Sequence, residues 1–118
     1  MTIPQSIIVT YKLSQDDLKL YDFLRSQYDK QCKPFLGHPE RWGRHLKIPL
    51  DTVQESLALL EGIGLIWSKK SQKGTWYGLT NLAEAMALFI ADSMMETVYD
   101  FVVACRVQAF KERDAFRP

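Results

Sequence analysis

Seven of the fifteen Lys and Arg residues in this 118-residue chain fall between positions 33 and 74, against four acidic residues, for a local charge of +3. Most of them stand in two groups: Arg41, Arg44 and Lys47, with His45 among them, and Lys69, Lys70 and Lys73. Cations gathered in this way are suited to holding anionic oxygen, as on a phosphate. The flanks differ. Residues 1–32 carry four groups of each sign, and residues 75–118 carry four basic against six acidic, for −2. The formal total of +1 therefore conceals a basic middle, and a near-neutral whole chain does not exclude an anionic partner.

Other chemistries find less support. Cys32, His38 and His45 are possible zinc ligands, but they lack the Cys-x-x-Cys or His-x-x-x-His spacing that brings ligands together, so no metal is expected. Gly62-Ile63-Gly64 lacks the third glycine of a dinucleotide loop, and the stretch from Gly37 to Gly43 is not followed by the Lys-Ser or Lys-Thr of a phosphate loop. Ser, His and Asp never form a nucleophile-elbow or paired-acid arrangement, so neither an enzyme nor a cofactor is expected.

The elements that must position the cations follow from the apolar spacing. Ile7 to Tyr11 is β-branched and aromatic and reads as an extended lead. Ser14 stands where an N-cap belongs, with Asp16 and Asp17 in the first turn, and Leu18, Tyr21, Phe23, Leu24 and Tyr28 give a helix over about 15–30. Lys33 to Gly37 breaks it. His38-Pro39 opens a short helix carrying the first basic group, and Lys47-Ile48-Pro49 is a turn. Val53, Leu57 and Leu60 make one stripe of a third helix, ended by Gly62 or Gly64. Two strand-like runs, Leu65 to Ser68 and Thr75 to Thr80, enclose the second basic group as a hairpin. Asn81 can cap a final helix to about 113, which would be about 50 Å long. On it Met86, Phe89, Ile90, Met94, Val98, Phe101, Val102 and Cys105 form a wide apolar surface, which a second copy of the chain would cover. A homodimer is expected.

With 47% hydrophobic and 25% charged residues the chain has a globular balance, and its length suits a single domain over 1–118. Within it a helix-turn-helix core spans about 13–80 and the dimerisation helix about 81–113. The class expected is mainly α with a small β-hairpin. Two widely separated cysteines, no basic-then-apolar leader at Met1 to Ser6, and no run of about 18 apolar residues predict a cytoplasmic protein without a membrane partner.

Leu46 to Val53, then Leu57-Ala58-Leu59-Leu60-Glu61-Gly62-Ile63-Gly64-Leu65-Ile66, then Tyr77-Gly78-Leu79-Thr80, resemble the winged helix-turn-helix of bacterial transcriptional regulators, most closely the MarR and PadR groups. The likeness covers about residues 39–82, and the PadR comparison also implies the C-terminal dimerisation helix. Leu82-Ala83-Glu84 stands where such regulators usually have a glycine, and Pro49 replaces the usual Ser or Thr cap. The resemblance implies sequence-specific double-stranded DNA binding and a role in transcription regulation. Lys69, Lys70 and Lys73 would then form the wing, and Arg41, Arg44, His45 and Lys47 would hold the backbone beside the major groove. Asp51, Thr52, Gln54, Glu55 and Ser56 would face the bases, Gln suiting adenine and Glu suiting cytosine.

Alternatives stay open at this level. The third helix has no Lys or Arg, while Asp51, Glu55 and Glu61 repel phosphate, which suits a winged helix that docks protein in a phage or plasmid replication or regulatory complex. The N-terminal run with Ile3-Pro4, Leu13-Ser14 and Leu18 is similar to modules of such replication proteins. The hairpin lysines could be a solvated tip. Trp42, Trp67 and Trp76 could stack on bases or simply fill the core. Met94 and Met95 with Phe89 and Tyr99 could line a pocket for a small-molecule effector or fill gaps in packing.

Overall fold

The structure is a computed structural model that describes residues 3–90 and 98–118, without the side chains of 88–90. The described elements are α1 (Gln5–Thr10), α2 (Gln15–Gln31), β1 (Phe35–Leu36), α3 (Pro39–Leu46), α4 (Leu50–Ile63), β2 (Ile66–Ser71), β3 (Gly74–Leu79), α5 (Leu82–Ile90) and α6 (Val98–Ala115). The architecture is mainly helical, with one antiparallel sheet in the order β1-β3-β2. Trp67 lies opposite Gly78 and Lys69 opposite Trp76 in the hairpin, and Phe35 pairs with Tyr77 on the other edge.

Local chemistry explains why the helices begin and end where they do. Ser14 accepts from the Asp17 amide at 3.1 Å while the Asp17 carboxylate accepts from the Ser14 amide at 2.8 Å, a reciprocal cap at the start of α2. Asn81 caps α5 by accepting from the Glu84 amide at 3.1 Å. Cys32 and Lys47 close α2 and α3 in the left-handed region. Gly64 ends α4 at φ 92°, where any side chain is strained, and a Cβ there would also come within 2.7 Å of the Arg106 amide nitrogen in α6.

The core gathers Leu20 and Leu24 of α2, Val53, Leu57 and Leu60 of α4, Ile66 and Leu79 of the hairpin, and Val102 and Cys105 of α6. The Cys105 thiol is wholly enclosed, and burial pushes its pKa up to about 12. A polar link crosses this core: Ser56 on α4 donates from its hydroxyl to the buried carboxylate of Asp17 on α2.

Three expectations are corrected. Ile7 to Tyr11 is not extended: α1 is helical because Ile3, Ile7 and Tyr11, at helical spacing, pack inward, and tertiary burial outweighs β-branched propensity. The strand β1 falls in the stretch expected only to break a helix, and at two residues it is too short to show alternation. The third correction concerns the C-terminal run. A continuous helix would hold Glu84 and Gln108 about 36 Å apart, yet the Gln108 amide donates to the Glu84 carboxylate at 2.8 Å. Helices α5 and α6 thus pack side by side, and the described part of the apolar surface is covered by the chain itself. Phe101, Val102 and Cys105 are buried in the chain's own core, and Met86 and Val98 pack partly buried against it. Met94 and Met95, and the side chains of Phe89 and Ile90, lie outside the described residues.

Because Asp17 both caps α2 and receives the Ser56 hydroxyl, its loss strands a buried donor as well as removing a cap. Asp17→Ala is expected to lower stability by about 2–4 kcal/mol and Ser56→Ala by about 1 kcal/mol. Urea unfolding checks this, with equal losses for the two variants counting against a shared role for Asp17.

Candidate nucleic-acid interface

Helix α4 divides cleanly into two faces. Val53, Ser56, Leu57, Leu60 and Ile63 are buried, whereas Asp51, Gln54, Glu55 and Ala58 form an exposed row at i, i+3, i+4 and i+7. Thr52 is half-buried at the edge of that row. Ser56 is the exception among the residues expected to face a partner: it points inward, committed to Asp17. The cause is its position three residues after Val53 and one before Leu57, on the core stripe.

Helix α3 sets its cations beside the start of this row. The left-handed Lys47 turns the chain, the Ile48 amide bonds back to Gly43 at 2.9 Å, and Gly43 allows close packing because a Cβ there would meet the Ile48 carbonyl at 2.7 Å. Trp42 faces inward, edge-on to Phe35 and Tyr77. That leaves Arg41, Arg44 and Lys47, three residues apart, exposed along one side. Arg41 and Arg44 line an open groove of about 400 Å³ together with Leu50 and Gln54 of α4, and Glu40 enters the same groove. Arg44 and Lys47 share a second recess over the α3–α4 turn. His45 is directed elsewhere, its ring 5.2 Å from that of Phe23 on α2. His38, Glu40 and Leu50 were not anticipated at this site, because their contribution arises only once the turn folds α4 against α3.

The hairpin lysines separate by function. Lys70 and Lys73 are exposed, Lys73 at the two-residue tip between Ser71 and Gly74. Lys69 is committed inward: its ammonium donates to the carbonyls of Arg113 at 3.1 Å and Phe116 at 2.8 Å, where α6 ends and its dipole favours a cation. Phe116 sits with its ring 5.6 Å from Trp67 and 5.5 Å from Trp76. The Trp67 indole donates to Glu112 at 3.3 Å and the Trp76 indole to Ser71 at 2.9 Å, so all three tryptophans serve packing. Glu61 is also engaged, accepting from the Ser68 hydroxyl at 2.7 Å. Burial, and secondarily the nearby Glu61 charge, raise the Tyr77 pKa.

With this geometry in place, comparison with known proteins bears on the fold alone. A similar solved structure is the crystal structure of the ST1889 protein from the thermoacidophilic archaeon Sulfolobus tokodaii. The two chains are 18% identical, each is covered to 91%, and the TM-score is 0.51. No family model matches the chain, and no curated protein does.

Among the described residues no group of three or more His, Cys, Asp or Glu is placed to hold a metal ion, and no described helix is long and apolar enough to cross a membrane. The groups concentrated at the α3–α4 corner are arginines and a lysine beside a polar helical row, an arrangement that can hold phosphates and present side chains between them.

Lys69→Ala is expected to act on stability, lowering it by roughly 1–2 kcal/mol through loss of a charged hydrogen-bond donor. Lys70→Ala should change it by less than about 0.5 kcal/mol. Thermal unfolding of the two variants provides the comparison, and equal effects would mean that Lys69 is as free as Lys70.

Proposed function

We propose that this chain is a winged helix-turn-helix that binds double-stranded DNA sequence-specifically as a homodimer, in the manner of a transcriptional regulator. The observation that carries the reading is the α3–α4 corner, where Arg41 and Arg44 share a groove with Gln54 at the start of the exposed row on α4. In this reading α4 enters the major groove, Arg41, Arg44 and Lys47 hold the flanking phosphates, and the exposed Lys70 and Lys73 act from the wing. The element order, with a short strand before the two helices and a hairpin after them, supports the same assignment. Lys69 and Ser56 drop out of the contact surface, and Gln54 becomes the principal candidate for reading a base.

Titrating a duplex at several salt concentrations tests the reading, because phosphate contacts make affinity fall steeply with salt. The Lys70→Ala/Lys73→Ala pair is expected to reduce the log–log salt slope by about 2 for each bound protomer, about 4 for the dimer, and Gln54→Ala to relax preference at one base pair of each half-site by about 1–3 kcal/mol. Absence of duplex binding at roughly 50 μM protein in low salt would overturn DNA recognition. A specific observation would then favour the second reading, a winged helix that docks protein in a replication or regulatory complex: Asp51 and Glu55 stand exposed on the same row.

The homodimer now rests on a different surface. Tyr99, Val107 and Phe110 are exposed on the outer side of α6, 66%, 44% and 61% accessible, with Val103 half-buried between them at i, i+4, i+8 and i+11. Self-association through this stripe predicts a dimer by light scattering at about 50 μM, and a monomer for Val107→Asp/Phe110→Asp. A monomeric native chain would remove the dimer and leave the DNA test untouched.

A further inference from the structure

Among the described residues the large apolar side chains left exposed are Val9 on α1, Tyr99, Val107 and Phe110 on α6, and Leu50 at the first position of α4. Leu50 stands apart from the others. It is 36% accessible and belongs neither to the buried core nor to the half-buried residues packed against it. Nor does it help α4 to begin, since an apolar side chain accepts no hydrogen bond from the first amides and Pro49 is the N-cap residue. The fold therefore makes little use of it. Its surroundings are largely polar: Leu50 lines the groove that holds Arg41, Arg44 and Gln54, and it lies one turn before Gln54 on the same side of the helix.

On the reading of α4 as the helix that enters the major groove, on which this inference rests, that placement has a chemical meaning. The major-groove edge of thymine carries a C5 methyl group, and apolar side chains read it by contact. Packing a leucine on that methyl removes apolar surface of both partners from water, a gain that a hydrogen-bonding side chain at the same position would forgo. The residues at the N-terminal end of a recognition helix are the ones that reach base edges. Gln54 adds a complementary preference, because its amide matches the donor and acceptor of adenine. Helix α4 has no Lys or Arg, so the arginine-to-guanine contact is unavailable from it. Positions four residues apart are separated by about 6 Å along a helix, which is about two base steps at about 3.4 Å each. We propose that Leu50 is a specificity-determining residue that packs on a thymine methyl group, and that the preferred DNA half-site holds this thymine within about two base pairs of the adenine met by Gln54.

Deoxyuridine differs from thymidine only in lacking that methyl group, so it isolates the contact. A site is first selected from random duplexes with the full chain, and each thymine of one half-site is then replaced singly by deoxyuridine. One replacement is expected to weaken binding about fourfold, the loss that follows from one buried methyl group, while the others change affinity by less than about 1.5-fold. Leu50→Ala should bind the thymine duplex as weakly as the native chain binds the deoxyuridine duplex, and should no longer tell the two apart. Gln54→Ala should still tell them apart, and the base pair at which it relaxes preference should lie within about two base pairs of the sensitive thymine. The deoxyuridine series on the native chain needs no variant, and thermal unfolding checks the fold of Leu50→Ala. If no duplex is bound, the DNA reading falls and this inference with it. If a duplex is bound, the inference alone falls on any of three results: no deoxyuridine replacement weakens binding, the sensitive thymine lies further from the Gln54 position, or the deoxyuridine effect persists in Leu50→Ala.

Discussion

Everything in this chain converges where α4 ends and the hairpin begins. Gly64 lies so close to the backbone of α6 that no side chain fits between them, and its carbonyl accepts from the Thr80 hydroxyl at 2.6 Å. The Thr80 amide in turn bonds to Leu65 at 3.1 Å, and the Arg106 guanidinium donates to the Gly62 carbonyl at 2.7 Å. Four elements are thereby tied within a few residues: α4, both hairpin strands and α6. Buried backbone polar groups must find partners, and here they find them on each other. The orientation of α4 relative to the hairpin is consequently set by α6.

The charge distribution reads differently once side-chain commitments are known. The basic middle of the chain divides into cations held inside the fold, such as Lys69 at the end of α6, and cations left outside it, such as Arg41, Arg44, Lys70 and Lys73. The acidic residues divide as well. Asp17, Glu61 and Glu112 accept internal hydrogen bonds, while Asp51 and Glu55 remain exposed. Net charge by segment counts both sets alike, and only the exposed set acts on a partner.

What could be read in advance was the part governed by local rules. Ser14 and Asn81 cap as their types and positions require, the α3–α4 turn falls at Lys47-Ile48-Pro49, and the hairpin forms where expected, although its strands run on through Lys69, Lys70 and Ser71 and leave only two residues at the tip. What could not be read depended on distant partners. Ile7 and Ile8 are β-branched yet helical because the core receives them. Ser56 looked polar and therefore outward, when the buried Asp17 carboxylate 39 positions away had claimed it. The apolar run after Asn81 did signal a surface to be covered. Periodicity says that a face is apolar and not what covers it, and here a neighbouring helix of the same chain does so for Phe101, Val102 and Cys105. Of the candidate site, the cations on α3 and Gln54 were legible, whereas the meeting of Leu50 and Gln54 with Arg41 and Arg44 across the α3–α4 turn required the fold.

The burial of Cys105 has a practical corollary. With one thiol enclosed between helices and the other, Cys32, exposed at the end of α2, the folded chain presents one of its two thiols to electrophiles. With Cys105 enclosed, a disulfide between two folded molecules through Cys32 is the thiol oxidation to expect. The same thiol is a ready-made attachment point for a dye or spin label at the C-terminal end of α2.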